Sequence, residues 1–212
     1  MIFSTAPRFE VEDLGRCDYL AAGARMLEAV EERAGGGDCD RLLLAEFGPV
    51  LTVGRGGSGL EAYTYLDIPV HEVPRGGKTT FHGPGQLVAY PVVALEEGAR
   101  DLHAYLHALE ESLIRAVGRF GLDGARDPRN TGCWVGGRKI ASIGVAVKRW
   151  VAYHGVALNV ATDLSWFRRF DPCGLEPELM TSMAAELAPA AAPPLDAVKG
   201  VLAEELAAAL RT

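Results

Sequence analysis

GCWVGGRKIASIGVAVKRWVAYHGVALNV, residues 132–160, decides the fold. Three runs within it, 132–135, 139–147 and 151–160, are rich in apolar and β-branched residues and read as strands. Gly136 and Gly137 separate the first two and supply the positive φ that a tight hairpin turn requires. Strands that follow one another this closely form a meander rather than strand–helix–strand units. Outward toward the N-terminus, the face Leu102, Tyr105, Leu106, Leu109, Leu113, Val117 and Phe120 predicts a long amphipathic helix ending at Gly121. Before it come an apolar strand over 87–93, a glycine-dense segment over 75–86, a short strand over 70–73, and strands over 41–47 and 50–53 around Gly48-Pro49. Leu20, Ala24, Leu27 and Val30 predict a helix over 13–33. Toward the C-terminus, 179–187 and 195–210 read as helices separated by AAAPP. Strands in runs with helices between the runs predict an α+β class, with mixed or antiparallel sheets and flanking helices.

Of 212 residues, 49% are hydrophobic and 23% charged, the balance of a globular chain and not of a disordered one. One domain over 1–212 is expected. Twenty-one basic against 28 acidic residues give a net charge of −7, which disfavours bulk nucleic-acid binding. The longest apolar stretch, 87–95, falls far short of the roughly 20 residues of a membrane span. The N-terminus has neither a signal-peptide pattern nor a transit-peptide pattern, so a cytoplasmic protein is expected. Cys17, Cys39, Cys133 and Cys173 are irregularly spaced, without C-x-x-C, and are expected to be free thiols.

Several patterns carry less chemistry than their form suggests. GRGGSG (54–59) matches a dinucleotide fingerprint, but too short a helical segment follows and no acid stands at the required distance. It reads as a mobile loop. GGKTT (76–80) lacks the first glycine of a phosphate loop, because Glu72 stands there, and FHGPGQ cannot open a helix. His103 and His107 have zinc-ligand spacing but no glutamate between them and no evident third ligand, so no metal is expected. Ser142 in IASIG lacks the leading glycine of a nucleophile elbow.

Three features remain. RGGKTTFHGPGQ (75–86) has glycines that let backbone approach a ligand. On the strand from Lys139, a period of two puts Lys139, Ala141, Ile143, Val145 and Val147 on one face; a lysine at the end of an apolar face is partly desolvated, which favours its neutral form. DPCGL (171–175) places Cys173 in a turn, where a thiol can enter a cavity beside backbone N–H groups. In order and spacing, RGGKTTFHGPGQLVAYPVV (75–93), GRKIASIGVAV (137–147), YHGVALNV (153–160) and DPCGL resemble the motifs of the octanoyltransferases of lipoate biosynthesis. LLLAEFGPVLTVGR (42–55) is similar to that family's first strand pair, so the resemblance covers about residues 40–183. Lys78, Phe81 and the glycine-rich 54–59 loop depart from the family's usual residues.

The resemblance implies a fold like the biotin/lipoate ligase catalytic domain. It implies transfer of an octanoyl group from octanoyl-acyl carrier protein to a lysine of the lipoyl domains of 2-oxo acid dehydrogenases and of the glycine cleavage H protein. Cys173 would be the nucleophile and Lys139 its proton partner. Arg75, Gly76, Gly77, Lys78, Thr79, Thr80, Phe81 and His82, with Ser142, Ile143, Gly144, Gly155, Val156 and Ala157, would line the acyl site. Thioester exchange is balanced and amide formation downhill, so no cofactor is implied. Lys148-Arg149 and Arg168-Arg169, the doubled basic pairs flanking these motifs, are candidates for docking an acidic donor. The rival readings are an ATP-dependent lipoate or biotin ligase, a non-enzymatic acyl-binding module and a thiol redox sensor.

Overall fold

The computed structural model describes residues 8–171 and 174–210. A seven-stranded sheet has the order β1-β2-β6-β10-β9-β8-β7, formed by Arg8–Cys17 (β1), Cys39–Phe47 (β2), Gln86–Ala94 (β6), Val151–Asn159 (β10), Arg138–Lys148 (β9), Gly132–Val135 (β8) and Gly124–Ala125 (β7). A three-stranded sheet has the order β4-β3-β5, from Val70–Glu72 (β4), Val50–Val53 (β3) and Thr79–His82 (β5). β1 runs parallel to β2 and β3 parallel to β4; the other pairings are antiparallel, so the sheets are mixed. The expected α+β class holds.

Helices cover both faces of the large sheet. Tyr19–Ala34 (α1) buries Met26 and Val30 against Val88, Tyr90, Tyr153 and Ala157. Leu102–Gly118 (α2) and Leu195–Ala209 (α4) bury Leu109, Leu113, Leu202 and Leu206 against Leu87, Ala89 and Val156. β6 therefore alternates its side chains between two apolar layers, which is why it reads as a continuous apolar run. The third core, Leu51, Val53, Phe81, Phe167 and Met180, seats the small sheet. Among the described residues no helix is long and apolar enough to cross a membrane.

Five expectations change. Residues 13–17 belong to a strand, not to the first helix: Asp13 accepts from Gly15 N, Gly15 takes φ +61, and the register shifts between Asp13 and Arg16, which hides the alternation. Asp18 is the N-cap, its carboxylate accepting from Ala21 N. The buried face of α1 is Ala22, Met26, Ala29 and Val30, while Leu20 and Leu27 are exposed. The glycine-dense segment contains a strand, β5, and the 179–187 region is helical only over Met183–Leu187 (α3), apart from one short turn. Finally, the register shifts between Cys133 and Trp134, so Lys139 pairs with Trp134 while Ala141 pairs with Cys133. One extra residue in β9 thus carries Lys139 to the side opposite Ala141. The Gly136-Gly137 turn is as expected, with φ of 55° and 76°.

Asp40 fastens α1 to the sheet. It is buried and accepts from Arg33 Nε at 2.6 Å and from Ala94 N at 3.0 Å. Removing one partner of a buried pair leaves the other uncompensated. We expect Asp40→Ala to cost about 3 kcal/mol and to lower the melting temperature by roughly 6–12 °C in calorimetry. A shift within a degree of the parent would show that Glu96, 3.2 Å from Arg33 Nη2, suffices.

Candidate functional site

β9 and β10, the 75–82 segment and the start of α1 enclose a cleft of about 520 Å³, within the range of small-molecule sites. Arg75, Gly76, Gly77, Lys78, Thr80, His82, Lys139, Ser142, Ile143, Gly144, Gly155, Val156 and Ala157 all line it. Sequence positions more than 80 apart meet here because β6 sits between β2 and β10. Thr79 and Phe81 turn away. On β5 the period of two sends Thr80 and His82 to the cleft. Thr79 Oγ1 meets Tyr63 OH at 2.6 Å, and Phe81 stacks on Trp166 at 4.9 Å. Tyr19, Val88, Tyr90, Leu102, Leu106, Asn130 and His154 also line the cleft.

The glycine segment is held by backbone. Gly76 N donates to Val145 O at 2.8 Å, which hangs the loop on β9. Gly54, Arg55 and Gly56 donate to Lys78 O, Arg75 O and Gly77 O at 2.9, 3.1 and 3.0 Å. A Cβ on Gly54 would stand 2.6 Å from Gly77 O, so the 54–57 glycines serve close backbone approach. The mobile loop expected there is a strap fastened to the cleft wall. Arg75 is buried, and its guanidinium donates to the carbonyls of Gly76, Lys78 and Thr52, each at 3.0 Å. A side chain on Gly144 would collide with Arg75 Cδ at 2.8 Å.

Lys139 is 2% exposed. Its ammonium donates to Asn130 Oδ1, and its carbonyl accepts from Thr181 N at 2.9 Å. Gly132 makes this possible: at φ +150 a Cβ there would lie 2.2 Å from Ala141 O and 2.8 Å from Lys139 Cε. Cys173 lies outside the described residues. The chain that follows it reaches the cleft lining at two points. A Cβ on Gly174 would stand 3.2 Å from Lys78 Nζ, and Met180 bridges to Lys139. The lining carries Arg55, Arg75, Lys78, Arg129 and Lys139 and, among the described residues, no carboxylate, in a chain of net charge −7.

The other candidate groups are occupied elsewhere. Cys133 is a core residue whose burial pushes its thiol up to about 12. Lys148 and Arg149 both close on Glu31. Arg168 lies 3.8 Å from Glu178, and Arg169 stacks over Trp166 at 4.4 Å. His107 Nδ1 is 3.8 Å from Glu110, and no cluster of metal-ligating side chains occurs among the described residues. The residues missed in the sequence are polar, with partners from other elements. Asn130 stands in a loop with no pattern to single it out. Gln86, Asn159 and His154 lie inside or at the edge of quoted motifs but look structural there.

The lipoyl protein ligase A/B catalytic domain family matches residues 18–207. An octanoyltransferase from Geobacter metallireducens is 48% identical over 177 residues, 84% of this chain and 83% of the relative. An octanoyltransferase from Rubrobacter xylanophilus is 48% identical over 181 residues, 82% of this chain and 81% of the relative. The solved bi-partite lipoate protein ligase of an archaeal lipoylation system from Thermoplasma acidophilum superposes with a TM-score of 0.70, covering 97% of this chain and 84% of that one at 16% identity. That likeness is one of fold.

Two cleft histidines tie stability to pH. Burial, with Arg75 nearby, lowers His82 to about 4; burial, Arg75 and His82 lower His154 to about 3. Folded pKa values below the unfolded value of about 6.5 mean that the unfolded chain binds more protons. Stability is therefore complete above about pH 6.5 and is lost as the pH falls toward these lowered values. We expect each histidine to cost about 2 kcal/mol between pH 7.5 and pH 5. Urea midpoints at the two pH values, with His154→Leu as the variant that flattens the dependence, check this. Equal midpoints for the parent at both would contradict it.

Proposed function

Because this chain belongs to the octanoyltransferases of the lipoyl protein ligase A/B catalytic-domain family, we propose that it carries an octanoyl group on Cys173 from acyl carrier protein to a lysine of lipoyl domains. The acceptors are the lipoyl domains of 2-oxo acid dehydrogenases and the glycine cleavage H protein, and the setting is the cytoplasm. The observation that carries the reading is Lys139: a buried lysine on the wall of a cleft where Ser142, Gly144, Gly155 and Ala157 on β9 and β10 are small.

The chemistry is nucleophilic catalysis in two balanced steps. Neutral Lys139 accepts the thiol proton of Cys173, and the thiolate attacks the carbonyl carbon of the incoming thioester. The bond to the carrier's sulfur breaks, and the carrier thiolate leaves with the proton that Lys139 returns. In the second step the acceptor lysine's neutral amine attacks the Cys173 thioester. The carbon–sulfur bond breaks, the amine's surplus proton passes to Lys139, and from there to the Cys173 sulfur. The sum is thioester plus amine giving amide plus thiol.

Asn130 suits Lys139 to this traffic. Its side-chain oxygen is an uncharged acceptor that orients the lysine nitrogen on the cleft wall. The acyl chain lies along the glycine and alanine positions of β9 and β10. At about 0.8 kcal/mol per methylene, its burial contributes about 5 kcal/mol to binding. The cationic lining attracts an anionic carrier, an effect that weakens as salt is added.

Intact-protein mass spectrometry after mixing with octanoyl-carrier protein tests the reading. The parent should gain one octanoyl group that hydroxylamine removes. Cys173→Ser should gain none, or a hydroxylamine-resistant ester, and Lys139→Arg should slow transfer by about 10²–10⁴. No adduct on the parent, with ATP-dependent use of free octanoate instead, would replace the reading with that of a ligase.

A further inference from the structure

From the cleft lining inward, six buried polar residues form one hydrogen-bonded chain: Arg75, Thr52, His82, Gln86, Asn159 and Thr181. Its direction is fixed by two backbone carbonyls, which can only accept. Thr181 O takes a hydrogen from Asn159 Nδ2 at 3.0 Å, which turns Asn159 Oδ1 toward Gln86. Gln86 Nε2 donates to that oxygen at 2.9 Å and to Phe81 O at 3.1 Å. Gln86 Oε1 is left facing His82 Nδ1 at 2.7 Å, a contact that only an Nδ1–H satisfies. The neutral ring therefore has a bare Nε2, facing Thr52 Oγ1 at 3.4 Å. That hydroxyl accepts from Arg75 Nη2 at 2.8 Å and keeps its own hydrogen for Nε2. Donation runs one way, from Arg75 to Thr181 O.

We propose that Gln86 and Asn159 are positioning residues of the acyl site: they fix His82 as the Nδ1–H tautomer, and the resulting one-way chain holds Arg75, and with it the Gly76 and Lys78 carbonyls, on the cleft wall. This inference rests on the octanoyl-transfer reading for what the wall binds. A buried polar network whose members are all satisfied has one arrangement, and reversing one link leaves a donor facing a donor. The groups around His82 favour the neutral ring. Arg75 is cationic, and His154 is a second neutral imidazole. Tyr19 of α1 stacks on His82 at 6.0 Å and on His71 at 5.6 Å. Glu46 of β2 accepts from Gly85 N at 2.8 Å, in the turn between His82 and Gln86.

Histidine ¹⁵N NMR of the full chain, with His82 assigned by its loss in His82→Asn, reads the tautomer directly. The expected spectrum shows Nδ1–H and bare Nε2 from pH 8 down to pH 5; an Nε2–H tautomer, or titration at the ordinary histidine value, overturns the proposal. Transfer kinetics supply the second readout. Gln86→Glu keeps an acceptor for Nδ1–H but adds a charge that favours the imidazolium, whose Nε2–H then faces Thr52. Its KM for the octanoyl donor should rise about tenfold more at pH 6 than at pH 8, with kcat much less affected. A merely structural role predicts a loss that runs parallel to the parent at both pH values, and that result also overturns the proposal. A parent that shows the expected tautomer but transfers no octanoyl group would defeat the functional reading and leave the chain's direction standing.

Discussion

Lys139 must be brought nearly dry to the inner wall of a cleft, and much of the local structure answers that requirement. An ammonium buried without partners would be costly, and one buried against a carboxylate would be locked in its charged form. Asn130 is one partner, an acceptor that carries no charge. The chain supplies Gly132, the residue without a Cβ, where the lysine stem passes. An extra residue in β9 turns Lys139 to the side opposite the core residue Ala141. Thr181 then grips the Lys139 carbonyl, so the chain just beyond Cys173 is tied to the strand bearing the lysine.

The second wall is a problem of backbone packing. Glycines at 54, 56, 76 and 77 let two loops lie against each other and against β9 with their amides and carbonyls paired. Arg75 satisfies carbonyls that these turns leave over. A side chain at Gly54 or Gly144 would push the walls apart. The fold itself is shared with lipoate protein ligases at low identity, and a fold of this kind hosts more than one chemistry. Acyl transfer through a thiol is distinguished by Lys139 on the cleft wall and by the sequence motif DPCGL at 171–175.

Much of this was legible in the sequence because period and glycine placement are local signals. The β8–β9–β10 meander and the long second helix follow from them, while the cleft-lining segments 75–78, 142–144 and 155–157 are what the family resemblance implies. The losses have physical causes. The bulge between Asp13 and Arg16 interrupts the alternation that would have announced β1, and α1 turns its smaller residues inward, leaving Leu20 and Leu27 outside. The face of Lys139 was misread because a single-residue register shift leaves no mark on composition. The resemblance groups Thr79 and Phe81 with the cleft, and the period of two along β5, a strand hidden among glycines, turns them away from it. Asn130, Thr52 and the amides of Gln86 and Asn159 act through partners distant in sequence, which only the folded chain reveals.

The central claim is that Lys139 activates the thiol of Cys173, and the rate of Cys173 alkylation measures it most directly. Peptide mapping after brief iodoacetamide treatment at pH 7 isolates that thiol from Cys17, Cys39 and Cys133. A thiolate stabilised by a neighbouring cation reacts faster than an ordinary thiol at this pH. The account predicts rapid modification of Cys173 in the parent and a rate lower by about tenfold or more in Lys139→Met. Equal rates in the two proteins, with Lys139→Met folded, would contradict it.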